Sequence, residues 1–133
     1  MTFMNLSEHR RSEESSPVRK RTKSPYELYP LPFFNSKTGC MWDVQPTGNY
    51  SADCETGHAY AIAFLKTADG SYGWNSLLGG IVTDMIQAGS HSVSEDGHPH
   101  FNGVVSGFMS TIGRLVNAVA SRVTAEDIER LPP

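Results

Sequence analysis

The chain has no long hydrophobic run. Its longest, Ala59 to Leu65, falls far short of the roughly 18 to 20 residues that cross a bilayer, and no window of that length is free of polar residues. No membrane span is expected. Residues 1–11 include Glu8, His9, Arg10 and Arg11 and show no apolar stretch behind a basic start, which is not the pattern of a secretory signal. The expected location is therefore the cytoplasm. Cysteine is scarce too, with only Cys40 and Cys54. Two residues cannot make a disulfide framework, and in a reducing compartment the default is a pair of free thiols. Their spacing leaves open whether they meet in the fold.

Several signatures of chemistry are missing. The sequence contains no Walker loop, dinucleotide fingerprint, Gly-x-Ser-x-Gly elbow, His-Glu-x-x-His or paired CxxC, so the enzyme classes built on them lose their support. Leu78-Gly79-Gly80 sits inside a helical pattern and follows no strand, so it is not a phosphate loop. No cofactor is expected.

The chain does hold 133 residues, 38% of them hydrophobic and 19% charged, enough for one ordinary core. Charge is uneven along it. Residues 1–24 carry six Lys or Arg against three Glu, or +3, which leaves five against eleven, or −6, for residues 25–133. An acidic body is a poor partner for a phosphate backbone. Residues 1–24 offer little apolar surface to offset the entropy of ordering them, and they read as a disordered basic tail. Within it, Arg19, Lys20, Arg21 and Lys23 cluster, either as a solvated tail or as a docking arm for nucleic acid or an acidic partner.

From Pro25 to Phe34, three prolines predict extended backbone. Four aromatics there, Tyr26, Tyr29, Phe33 and Phe34, make this a strap that lies on the chain's own body or is presented to a partner. Asn35 to Gly39 reads as a turn. Cys40 to Gln45 reads as a short strand pairing with 33–36 or 49–53, with Trp42 and Val44 on one face.

Ser51 to Glu55 places a capping residue and two acids ahead of a helix reaching about Lys66. Its expected buried stripe is Tyr60, Ala63 and Phe64, with Ala59 beside them. Gly57 weakens that reading, and Ala59 to Leu65 also fits a buried strand. A second helix carries Leu77, Leu78, Ile81, Val82, Met85 and Ile86 and stops near Gly89. After a polar loop from Ser90 to Phe101, the longest helix runs from about Asn102 to Ser121. Its stripe of Val104, Val105, Phe108, Met109, Ile112, Leu115, Val116 and Val119 makes it the expected spine of the core. Thr124 to Asp127 is an N-cap pattern for a last short helix with Ile128 and Leu131 as apolar contacts. The fold class expected is α+β, mainly α. Three to four helices pack with a small β element as a single domain over 25–133, after the tail.

Three constellations could carry function. His91, Glu95, Asp96, His98 and His100 gather imidazoles and carboxylates that could close on a divalent metal, although the spacing fits no standard zinc pattern and polar loops collect such residues anyway. Cys54 and His58, four apart on one helix face, could pair a thiol with a base, but Asp53 and Glu55 oppose thiolate formation and such a Cys is usually an inert small hydrophobe. Small residues recur on the two main helices, Ser76, Gly80 and Thr83 on one and Gly103, Gly107 and Ser110 on the other. Glycine inside a helix costs about 1 kcal/mol relative to alanine, so a close backbone approach is expected, either between these two helices or with a second subunit or foreign helix.

With an acidic body, an aromatic strap and no convincing catalytic set, the expected function is a nonenzymatic protein-protein interaction module. A role for a phage or mobile-element protein that binds and blocks a host complex fits small proteins of this make-up. The partner is another protein or a second copy. The alternatives are a small metal-dependent or thiol enzyme using the His91 to His100 loop or Cys54, and a nucleic-acid accessory protein acting through the tail.

Overall fold

Two long helices cross at a point where neither has a side chain. In the computed structural model, which describes residues 23–89, 91–93 and 99–133, a short turn of helix α1 (Pro25–Leu28) leads through the strap to α2 (Tyr50–Leu65). Then follow α3 (Tyr72–Asn75), α4 (Leu77–Gln87), the short antiparallel strands β1 (His91–Val93) and β2 (Pro99–Phe101), α5 (Gly103–Ala120) and α6 (Ala125–Glu129). The described body is mainly helical. The expected disordered tail falls on residues 1–22, outside the described residues, and of its basic cluster only Lys23 is described, exposed.

The α2–α5 crossing is the centre of the fold. A Cβ at Gly107 would strike the carbonyl oxygen of Cys54 and come 2.8 Å from its carbonyl carbon, and one at Gly103 would sit 2.6 Å from the Tyr50 carbonyl oxygen. From the other side, a Cβ at Gly57 would strike the Val104 carbonyl oxygen and lie 2.7 Å from the Phe108 nitrogen. Real Cβ atoms do not come so close to backbone, so these three positions must be glycine. The close approach foreshadowed by Gly103 and Gly107 is therefore with α2, not with the Ser76–Gly80–Thr83 row, and the two glycines are closed to a foreign helix. Gly80 instead faces the Met41 side chain, whose sulfur would lie 2.7 Å from a Cβ there.

Helix 52–66 is settled as helix. Its cap is Asn49, whose side chain accepts from Ala52 N at 3.0 Å, rather than Ser51. Its buried positions are Asp53, Gly57, Ala61 and Phe64, so the stripe expected at Tyr60 and Ala63 lies one step off centre: both residues are half-buried and Ala59 is exposed. The presence of Gly57 displaces it: the bare face is the one that docks.

The strap folds onto its own body. Tyr29, Leu31, Phe33 and Trp42 are buried, and the Phe33 ring packs 5.3 Å from Trp42, 5.2 Å from Tyr60 and 5.7 Å from Phe108. Two expectations fail here. Pro25 does not extend the chain but opens a helical turn, a position where its missing N–H is harmless, and Ser24 N donates to Glu27 Oε1 at 2.9 Å across that turn. The strand expected over Cys40 to Gln45 does not form. The chain turns back at Asn35 to Gly39, with Asn35 Oδ1 accepting from Lys37 N and Thr38 N, makes an isolated bridge between Asn35 and Cys40 and one bond from Asp43 N to Phe33 O at 2.9 Å. Trp42 leaves the ladder to enter the core. Met41 N then donates to Asp84 Oδ2 at 2.7 Å, tying the strap to α4.

α4 and α5 arise where the periodicity placed them. Gly89, at φ +72, ends α4 in a conformation glycine takes freely. Asn102 caps α5 by accepting from Val105 N at 3.1 Å. Thr124 and Asp127 form the reciprocal capping box of α6, Thr124 N to Asp127 Oδ2 and Asp127 N to Thr124 Oγ1, each 3.1 Å. α5 is long and apolar enough to cross a membrane by length and composition alone, but its first half is buried against α2 and the strap.

Candidate functional site

The apolar stripe of α5 outruns the core. Val104, Val105, Phe108 and Ile112 are buried, whereas Leu115, Val116 and Val119, on the same face, are exposed by 44, 60 and 53%. Every residue from Gly113 to Pro133 is exposed, including Val123, Ile128 and Leu131. Met109, expected in the same stripe, is 36% exposed, so the spine expected from the periodicity is buried at Val104, Val105, Phe108 and Ile112 and is an open arm beyond. The contacts expected of Ile128 and Leu131 are likewise not made in the core.

This arm forms one wall of a groove of about 630 Å³. The opposite wall is Phe64, Leu65, Trp74 and Leu78, and Ile112 lies at the base. The aromatic wall is held in place. Trp74 stacks on Phe64 with ring centroids 4.8 Å apart and planes 15° apart, and its indole nitrogen donates to Thr67 Oγ1 at 2.9 Å. Thr67 Oγ1 in turn donates to Phe64 O at 2.6 Å. The half-buried indole is therefore held in a fixed position over the buried Phe64 ring. Asp127, whose carboxyl is held below the usual carboxylate range by bonds from the Thr124 backbone and hydroxyl, stands at the rim. An apolar trough with a polar edge suits the apolar face of a helix.

A second, polar cavity of about 420 Å³ opens along the other side of the α2–α5 crossing, lined by Cys54, Glu55, His58, Ser110, Thr111 and Arg114 among others. It brings together the Cys54 and His58 that their spacing suggested. His58 Nδ1 lies 2.8 Å from Thr111 Oγ1. That hydroxyl donates its one hydrogen to the Gly107 carbonyl at 2.8 Å, which leaves its oxygen as the acceptor for Nδ1. The held nitrogen is tied to Thr111, not to the thiol. Cys40 is half-buried elsewhere, in the strap, and both thiols are free.

The remaining sequence candidates are dispersed. Tyr29 and Phe33 are buried in the body, with Tyr29 Oη donating to Asp69 Oδ2 at 2.8 Å. Tyr26 and Phe34 are half-buried and pack edge to face at 5.3 Å. Burial, then the nearby Asp84 charge, pushes the Tyr26 hydroxyl above its ordinary pKa. Arg19, Lys20 and Arg21 lie outside the described residues, as do Glu95, Asp96, His98 and the side chains of His91 and His100. Among the described residues no three His, Cys, Asp or Glu side chains are grouped to hold a metal. The groove was missed because helical periodicity marks the apolar face of α5 without saying where its neighbours end.

No family model, no curated protein and no solved structure matches the chain.

Proposed function

We propose that the chain is a nonenzymatic protein-binding module acting in the cytoplasm, and that the groove between the α5–α6 arm and the Phe64–Trp74 wall is its docking surface. One observation carries the reading: six large aliphatic side chains, Leu115, Val116, Val119, Val123, Ile128 and Leu131, stand exposed by 40 to 70% around one trough. Contiguous apolar surface of this kind marks an interaction site in a soluble protein. The test is a photo-cross-linker at Ala120, in the groove, activated in a lysate of the native source. A discrete protein adduct, self or foreign, that disappears in Val116→Glu is the expected result. No adduct, or one indifferent to that substitution, would remove the reading.

A second reading, a thiol-dependent enzyme, is favoured by the cavity shared by Cys54 and His58. It requires that Cys54 alkylate faster than glutathione at neutral pH and that His58→Gln slow it. Equal rates would end it.

A further inference from the structure

We propose that the polar cavity along the α2–α5 crossing binds a free α-amino acid, with the carboxylate held by Arg114 and the ammonium by Glu55. This needs neither the docking groove nor a reactive thiol.

The crossing itself makes the site. α2 and α5 run in the same direction, with Tyr50 beside Gly103, Cys54 beside Gly107 and His58 beside Thr111. Next to that seam each helix carries a further row at a spacing of four, Ser51 and Glu55 on α2 and Ser106, Ser110 and Arg114 on α5, and side chains so spaced share a helix face. With glycine at 107 the floor between the rows is backbone, and the walls bound about 420 Å³, a volume in the range of small-molecule sites.

These walls carry one carboxylate, Glu55, and one guanidinium, Arg114, on opposite helices. Among the described residues neither side chain makes a hydrogen bond or an ion pair. The register explains why they do not meet. Glu55 starts roughly level with Gly107, and Arg114 lies two turns further along, about 10 Å of helix axis, less what a long side chain recovers by leaning back over its preceding turn. An ammonium and a carboxylate roughly 3 Å apart on one carbon, with a hydrogen bond of roughly 2.8 Å at each end, span about 9 Å. A lone anion would be opposed by Glu55 and a lone amine by Arg114, so a molecule carrying both charges is the one the cavity selects.

The hydroxyls are an independent sign. Thr56, Thr83 and Ser121 donate to carbonyls three or four residues back at 2.9 to 3.3 Å, a common use of a helical hydroxyl. Ser51, Ser106 and Ser110, all in the cavity wall, make no side-chain hydrogen bond among the described residues. They are left for a bound molecule, while His58, tied to the buried Thr111, is a stationary part of the wall.

Titrating the isotope-labelled full chain with each proteinogenic L-amino acid in turn, up to about 10 mM, tests this through the amide shifts of Gly107, Ser110 and Thr111. At least one amino acid is expected to shift them saturably. Its N-acetyl and carboxamide forms, each lacking one charge, should bind at least about tenfold more weakly. Glu55→Gln and Arg114→Gln, both at exposed positions, should each weaken binding by as much, and Cys54→Ser should bind as the wild type does. The two analogues decide the matter if a variant unfolds. No saturable shift with any amino acid overturns the proposal, as does binding that survives either substitution in a folded chain. Equal binding of either capped form means a site for a single charge and overturns it too, and binding lost in a folded Cys54→Ser hands the cavity to the thiol.

Discussion

Gly107 is where a single methyl group would do the most damage. The atoms it would meet are the backbone carbonyl of Cys54, which cannot rotate aside as a side chain can, so the helices must part. Gly107→Ala is expected to destabilise the fold by about 3 kcal/mol, the upper end of ordinary overpacking, read from the urea midpoint. Gly79 is the control, since a Cβ there meets nothing within 4 Å. Gly79→Ala should stabilise by about 0.8 kcal/mol through helix propensity alone. Asp53 holds the turn that leads into α2. It is buried and accepts from the Thr47 hydroxyl at 2.7 Å and from the Thr47 and Gly48 amides at 3.1 and 3.2 Å, and these bonds, the hydroxyl first, hold its pKa below the usual 3.8. A carboxyl depressed in the folded state stabilises above its unfolded pKa, and that contribution is lost as pH falls through the lower folded value. Stability should therefore fall on acidification below about 3.8, and Thr47→Val should flatten that acid limb, measured as urea midpoint against pH. In the sequence Asp53 looked like a first-turn dipole partner; its role in closing the 47–49 turn depends on burial that no local pattern reports.

At the scale of elements, the strap and the arm are opposites. The strap has little regular structure yet contains two of the most buried side chains, Phe33 and Trp42. Trp42→Ala should cost about 4 kcal/mol, as large-to-small changes of buried aromatics do. Tyr29→Phe, which removes the bond to Asp69, should cost about 1 kcal/mol, and thermal melts separate the two. The arm has regular structure and almost no burial. In dilute solution, below any association, amides of 115–130 should exchange with solvent orders of magnitude faster than those of 104–112, because local opening there exposes no core; comparable protection in the two halves of α5 would contradict the exposure seen. Helices α4, α5 and α6 were legible from period and caps, since both are local properties, whereas α2 stayed open between helix and strand because Gly57 and the apolar run 59–65 fit either. The Cys40 to Gln45 strand was not a strand because alternation only says which side chains share a face, and the core claimed Trp42 before a ladder could form.

At the scale of the whole molecule, an acidic body carries one neutral, apolar arm. The sequence by itself determined that the described chain is mainly helical, where α4 and α5 begin and end, that the strap would need a surface, and that glycines on α5 implied a close neighbour. Each of these follows from contacts or propensities within a few residues, or from composition. Only the tertiary structure decided that the neighbour is α2 meeting α5 through Gly57, that the strap is consumed by the chain's own core, and that the apolar stripe of α5 leaves the core after Ile112. The physical reason is common to all three. Periodicity fixes which face of an element is apolar, but what covers that face depends on the lengths and crossing points of elements distant in sequence, and α5 is about eight residues longer than the surface α2 and the strap provide for it.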